Sequence, residues 1–290
     1  MYPALYYTTK NKDTVQCHLC PHECVILNEK TGLCRARKNH SGKLLALGYD
    51  KFTSINIDPI EKKPLYHFYP GTQILSVGTI GCNFACDFCQ NWEISQANFI
   101  GTAVRTLTKE SALKYALENN SIGIAYTYNE PLINYEWVFD TAKYFKENNL
   151  KNVLVSNGFI NEAPWEKLVP FIDAANIDVK SFNDDFYKKF CKGKLAPVLK
   201  TVETMVKMRK HVEITTLIIP GENDSDEEIR GLTGWISSLS PDIPLHFSRY
   251  FPQYKMNIQM TDVETLKRVY KIAKEKLKFV HLGNVSDGEL

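Results

Sequence analysis

From residue 74 onward the apolar positions alternate between two rhythms. Short unbroken apolar runs at 74–81, 122–128, 152–156, 174–180, 212–219, 243–247 and 279–282 predict buried strands. Between them apolar residues recur every three or four positions, as at Val138, Thr141, Ala142 and Phe145, or Val198, Val202, Met205 and Val206. That spacing puts them on one face of a helix. Thr108, Ser225-x-x-Glu228 and Thr261-x-x-Glu264 are capping signals at helix starts, and Pro164 suits a first helical turn. Strands and helices in alternation imply parallel pairing and an α/β fold.

Residues 1–73 keep neither rhythm, so the chain divides into a front segment, 1–73, and a body, 74–290. Asn39-His40-Ser41-Gly42-Lys43 reads as a turn, with 44–47 beginning the return arm of a hairpin. The stretch from Asp58 to Gly71 holds three prolines in fourteen residues, which argues against helix or central strand. It predicts a wrap that closes one end of the body, with Lys62 and Lys63 as surface charge. Because this stretch runs into the first strand of the body, His67 reads equally as part of the wrap or as an active-site residue.

Composition narrows the class. The chain has 290 residues, 44% hydrophobic and 23% charged, which is ordinary for a globular protein. A net charge of +2 gives no electrostatic case for nucleic acid or a membrane surface. No apolar run approaches the roughly 20 residues of a membrane span. The start, Met1-Tyr2-Pro3-Ala4-Leu5, lacks the basic-then-apolar pattern of a signal peptide. The expectation is a cytoplasmic protein in which clustered cysteines bind metal rather than form disulfides.

Seven of the eight cysteines fall into two sets. Cys82, Cys86 and Cys89 stand at C-x₃-C-x₂-C directly after the first strand of the body, where α/β folds keep their active sites. Three thiolates in one loop suit an iron–sulfur cluster; since a complete 4Fe–4S cluster takes four, one iron would stay open for chemistry. Cys17, Cys20, Cys24 and Cys34, at C-x₂-C-x₃-C-x₉-C, can close a coordination sphere, either as structural zinc or as a second Fe–S cluster. Cys191 stands alone and reads as a buried thiol.

At Cys82, Cys86, Phe88 and Cys89 the chain resembles the radical S-adenosylmethionine (SAM) superfamily, whose signature is C-x₃-C-x-aromatic-C. The resemblance implies a partial TIM barrel, (β/α)6, with the small metal-binding segment in front. It implies a 4Fe–4S cluster whose open iron chelates the amino and carboxylate groups of SAM, and an electron that cleaves SAM to methionine and a 5′-deoxyadenosyl radical. Tyr128-Asn129-Glu130 stands where the superfamily commonly has a Gly-Gly-Glu-like motif that contacts the SAM amino group, and only Glu130 matches directly. Asp178-x-Lys180 resembles the Asp-x-Lys of glycyl-radical-enzyme activases, where the lysine meets the SAM carboxylate. Asn157 reads equally as an amide partner for SAM or as turn chemistry. His246 and Arg249, after the sixth strand, and His67 are candidate substrate contacts.

Over almost its whole length the chain resembles a narrower group, the AmmeMemoRadiSam-system radical SAM enzymes, relatives of pyruvate formate-lyase activases. The carrying stretches are C-x₂-C-P-H-x-C, D-P-I-E-K-K-P-L-Y-H-F-x-P-G, T-I-G-C-N-F-x-C-x-F-C-Q-N and H-F-S-R-Y-F-P-x-Y-K-M. That implies a Memo-like companion protein in a shared pathway and a low-potential electron donor of ferredoxin or flavodoxin type. The expected reading is hydrogen abstraction from a small molecule, with the front segment packed beside the barrel and partly covering its active-site side. The alternatives are an activase that makes a glycyl radical on a partner protein, and a binding module that senses redox state.

Overall fold

The apolar runs form one eight-stranded sheet whose strands lie in chain order. They are β1 (Ser54–Pro59), β2 (Gln73–Gly78), β3 (Gly123–Tyr126), β4 (Lys151–Ser156), β5 (Ala174–Asp178), β6 (His211–Ile218), β7 (Leu245–Arg249) and β8 (Val280–Gly283). Neighbours from β2 to β8 pair in parallel, and β1 runs antiparallel to β2. The computed structural model of the protein describes residues 2–286. Its architecture is that of a partial barrel with α/β connections, in agreement with the sequence pattern.

Six helices make the crossovers: α1 (Lys109–Glu118), α2 (Tyr135–Glu147), α3 (Glu162–Leu168), α4 (Leu195–Lys207), α5 (Asp226–Leu239) and α6 (Val263–Lys274). Their apolar stripes are buried, for example Val138, Ala142 and Phe145 on α2 and Val198, Val202 and Met205 on α4. Thr108 and Ser225 cap α1 and α5 as expected, each accepting a backbone N–H three residues on. Thr261 does not cap α6. Asp262 does, accepting from the Thr265 amide, while the buried Thr261 hydroxyl bonds to the Ile218 carbonyl at 2.6 Å. A hydroxyl drawn into the interior is no longer available to the helix end. None of the helices is long and apolar enough to cross a membrane among the described residues.

The sixth apolar run is displaced toward the C-terminus. The strand is Leu245–Arg249, not 243–247, because Pro244 has no N–H to give the ladder. The shift puts His246 near the start of β7 instead of its end.

The front segment makes two small antiparallel sheets. One contains the expected hairpin, Arg37–His40 paired with Lys43–Ala46 around Ser41-Gly42, both in the left-handed region. The segment is clamped to the barrel by a buried ion pair. The Arg37 guanidinium meets the Glu136 carboxylate on α2 at 3.0 Å, and Glu136 also accepts the Leu5 amide at 2.7 Å. The connector contributes more than a wrap. Residues 54–59 are the edge strand β1, and 64–67 run on toward the other half of the sheet, where the Tyr66 and His67 amides donate to Glu213 on β6.

Candidate active site

Strand β2 ends at Gly78, and the chain turns at Gly81 (φ +93°) into the loop carrying Cys82, Cys86 and Cys89. The side chain of Asn129 fixes this turn from the next strand end, accepting from the Thr79 amide at 3.0 Å and donating to the Gly81 carbonyl at 2.7 Å. Asn157, after β4, uses its oxygen for its own turn, accepting from Phe159 N–H at 2.9 Å. Its amide reaches Asn83 at 2.9 Å and the Cys82 sulfur at 3.7 Å. Both asparagines therefore hold the loop, and both line the cavity beside it. The far side is held by a π-helical turn, Tyr187–Cys191, whose Phe190 and Cys191 carbonyls accept the Asp87 and Ala85 amides.

All three thiols open into one cavity of about 310 Å³, together with Phe88, Asn129, Glu130, Asn157, Asp178 and Lys180. The sulfurs stand around its wall. Among the described residues no three Cys, His, Asp or Glu side chains meet closely enough to hold a single ion. Burial pushes the Cys82 thiol well up, with Glu130 adding to the effect. Cys86 is instead lowered, first by its hydrogen bond with the neighbouring Cys191 thiol and also by the nearby Lys180 cation.

Glu130 is buried, with three donors on its carboxylate: the Leu132 amide and Ser156 hydroxyl on Oε1, and the Asn157 amide on Oε2 at 2.8 Å. Burial outweighs these bonds and raises its pKa to about 7. A carboxylate offers about four acceptor sites, so one remains on the Oε2 side. Lys180 is partly buried, its side chain 16% exposed. Burial works against its charge, yet Asp178, 3.0 Å away, and the Cys86 sulfur push its pKa well up. Its ammonium lies 5.9 Å from the Phe88 ring centre.

A "Radical SAM superfamily" profile matches residues 76–232, more than half of the chain. The chain belongs to the radical SAM superfamily. Members of this superfamily are enzymes. An uncharacterized protein of Methanocaldococcus jannaschii is 43% identical over 292 residues, spanning 100% of this chain and 87% of its own. The pyruvate formate-lyase-activating enzyme of Clostridium pasteurianum is 29% identical over 217 residues, 68% of this chain and 89% of that one. The chain is thus a relative of these activating enzymes. Among solved structures, Streptococcus suis SuiB matches with TM-score 0.58 at 14% identity, over 74% of this chain and 51% of its own. A radical SAM methyltransferase from Sphaerobacter thermophilus matches with TM-score 0.55 at 16% identity, over 97% and 76%. Both are similar in fold.

Membership of the radical SAM superfamily implies a 4Fe–4S cluster and SAM, and the cavity fits them. Three thiols share it, the Phe84 amide points at the Cys82 sulfur at 3.3 Å, and an unspent carboxylate site and an ammonium flank them. The glycines missing before Glu130 are answered by conformation. Tyr128 itself adopts φ +70°, the left-handed region a glycine would favour. Its ring packs over Gly78, where a Cβ would come within 2.8 Å, and its hydroxyl donates to Asp58 at 2.5 Å.

The structure corrects two readings of the connector. Lys63, read as surface charge, lines the cavity from a buried position, whereas Lys62 also borders the cavity but stays exposed, as read. Lys63 is buried, pairs with Asp58 at 2.8 Å and lies 4.6 Å from the Tyr128 ring centre. His67 and His246 do not line the cavity. They belong to a group at the strand starts, the opposite end of the barrel from the thiols. Glu213 sits at its centre, accepting from His246 at 2.6 Å and from the Tyr66 and His67 amides, with His211 2.9 Å away. His67 and His281 face each other at 2.9 Å. Arg249 points away from the cavity-lining Ser248 and bonds through Nε to the Thr261 carbonyl at 2.7 Å. Sequence reasoning also missed Asn83 and the Cys86–Cys191 contact. An isolated cysteine carries no spacing signal, so only the fold could reveal that contact.

Proposed function

We propose that this chain binds SAM beside a 4Fe–4S cluster on Cys82, Cys86 and Cys89 and abstracts hydrogen from a small molecule held in the barrel. Cluster and SAM would together supply the 5′-deoxyadenosyl radical. The chain's residues bind and orient. Glu130 has one acceptor site for an ammonium, Lys180 has two ammonium hydrogens beyond its Asp178 bond for a carboxylate, and Asn129 and Asn157 hold the thiol loop in register. A charged donor opposite a carboxylate is a strong and oriented contact.

The observation that carries the small-molecule reading is the rest of the cavity. Beyond the thiols it continues to Lys63, Tyr128, Thr215, Leu217 and Ser248, and the buried Thr215 hydroxyl has no partner. This is a concave, partly open space with a few convergent polar groups, as small-ligand sites are. The front segment also presses on the thiol loop, His22 lying 2.7 Å from the Asn83 carbonyl. Such cover excludes water from a reactive radical. A second reading, an activase acting on a glycine of a partner protein, draws on the relatedness to pyruvate formate-lyase-activating enzymes. A redox-sensing module has no use for the Glu130 and Lys180 pair.

The resemblance to AmmeMemoRadiSam-system enzymes supports a Memo-like companion and a ferredoxin- or flavodoxin-like donor in the cytoplasm. Cys17, Cys20, Cys24 and Cys34 are read as a second metal site. The decisive experiment purifies the protein without oxygen, adds SAM and a low-potential reductant, and measures 5′-deoxyadenosine. Cys86→Ala should abolish its release, and full activity in that variant would defeat the assignment. Deuterium moving from a labelled small molecule into 5′-deoxyadenosine identifies the substrate. A glycyl radical arising on a partner protein would favour the activase.

A further inference from the structure

We propose that Cys17, Cys20, Cys24 and Cys34 hold a second iron–sulfur cluster, not zinc, seated directly against the radical-cluster loop. The assignment is independent of what the barrel acts on. None of the four cysteines is in a disulfide, and all four line one small chamber whose other walls include Leu19, Ile26, Ile133 and Arg37. Their sulfurs stand around the chamber instead of meeting at a point. Tetrahedral zinc, with bonds of about 2.3 Å, would draw four sulfurs to within roughly 3.8 Å of one another. A cluster of iron and sulfide keeps its thiolates apart, each on its own iron.

The chamber is lined for sulfur anions. The His22 amide points at the Cys20 sulfur and the Ala36 amide at that of Cys34, each two residues on, and the Leu33 amide points at Cys24. Phe84 stands in the same relation to Cys82 in the barrel loop. Amide hydrogen bonds to sulfur are among the groups that tune iron–sulfur centres. The second mark is Arg37. Its side chain is buried, its terminal nitrogens are held by Glu136 and the Leu5 carbonyl, and its Nε–H has no acceptor. An orphaned buried donor costs on the order of 1–3 kcal/mol. A thiolate or bridging sulfide in the chamber would supply the missing acceptor, and the guanidinium would offset the anionic charge of four thiolates.

The position gives the site its meaning. A Cβ placed on Gly81 would lie 2.2 Å from the Cys34 carbonyl oxygen. Cys34 of one set therefore touches, through backbone, the residue before Cys82 of the other. A centre that carries single electrons gains from that contact, and a closed zinc site does not.

The test uses the Cys82→Ala, Cys86→Ala, Cys89→Ala triple variant, purified without oxygen. It leaves the front segment intact and removes the radical cluster, so the two sites are read separately. About four iron and four sulfide per chain are expected, with Mössbauer parameters of a 4Fe–4S cluster and an EPR signal after dithionite. Adding Arg37→Met should shift that signal or its midpoint potential. One zinc per chain without iron overturns the proposal, and so does the absence of both metals. Because Cys34→Ser in the wild type could unfold the segment, the triple variant alone decides.

Discussion

The Asn157 amide donates to the Glu130 carboxylate at 2.8 Å, tying the ends of β4 and β3 together at the cavity. Glu130 is nevertheless easier to protonate in the fold than in the open chain, because burial lifts its pKa from an ordinary 4.5 to about 7. Between those values the folded state binds the extra proton. The favourable contribution of neutral Glu130 is complete below about pH 4.5 and is lost as pH rises toward 7. At about 1.4 kcal/mol per pH unit, the loss is on the order of 3 kcal/mol. Denaturant titrations from pH 5 to 8 should show this fall in the wild type. Glu130→Gln, which cannot ionise, should flatten it. An unchanged slope in the variant would mean that another group titrates.

Lys63 and the half-buried Tyr128, which line the thiol cavity, both bond to Asp58. Burial of Asp58 is outweighed by bonds from Lys63 and Tyr128, which hold its pKa down to about 2. Its contribution to stability is therefore present above its ordinary value of 3.8 and lost as pH falls toward 2. Removing Lys63 leaves Asp58 with only the exposed Lys62 at 3.5 Å and the Tyr128 hydroxyl, and removing Asp58 strands the buried Lys63 ammonium. Lys63→Met should cost about 3–5 kcal/mol, and the double variant Lys63→Met, Asp58→Asn should recover much of it. In the proposed reaction Lys63→Met should still cleave SAM but transfer less deuterium from substrate. A proportional loss of both would place Lys63 outside substrate binding.

Lys180 keeps its charge because Asp178 and Cys86 outweigh its burial. If it grips the SAM carboxylate, Lys180→Met should raise the KM for SAM at least tenfold, corresponding to the roughly 1.5–3 kcal/mol of a charged hydrogen bond. Lys180→Arg should fall between, since it keeps charge but not shape. Iron content should stay at the wild-type level in both. Loss of iron with the KM change would assign Lys180 to holding the loop.

What the sequence made legible follows from what spacing encodes. The C-x₃-C-x₂-C run and the apolar rhythm are local, and both survive into the structure. Direction and depth are not local. Lys63 reads as surface charge, like its exposed neighbour Lys62, because nothing in the connector shows that β1 runs antiparallel to β2 and returns Lys63 to the barrel. His246 was misplaced by a two-residue shift of β7, enough to move it from the strand's end to its start. His67 followed the connector to the same end, where Glu213 collects it. Tyr128 was hidden for another reason, since a non-glycine residue in the left-handed region leaves no mark in composition.

Gly81 and Gly71 allow the contact between the two cysteine sets to be tested. Both have positive φ, +93° and +79°, so alanine at either position costs about 1 kcal/mol in backbone strain. They differ in surroundings. A Cβ at Gly71 meets nothing within 4 Å, whereas at Gly81 it lies 2.2 Å from the Cys34 carbonyl oxygen. Backbone cannot swing aside as a side chain can, so Gly81→Ala must part the front segment from the thiol loop. Gly71→Ala is expected to lower stability by about 1 kcal/mol and leave 5′-deoxyadenosine release unchanged. Gly81→Ala should cost a further 1–3 kcal/mol and reduce the iron retained after desalting without oxygen. Equal effects at the two glycines would show that the Cys34 contact plays no part in holding the loop.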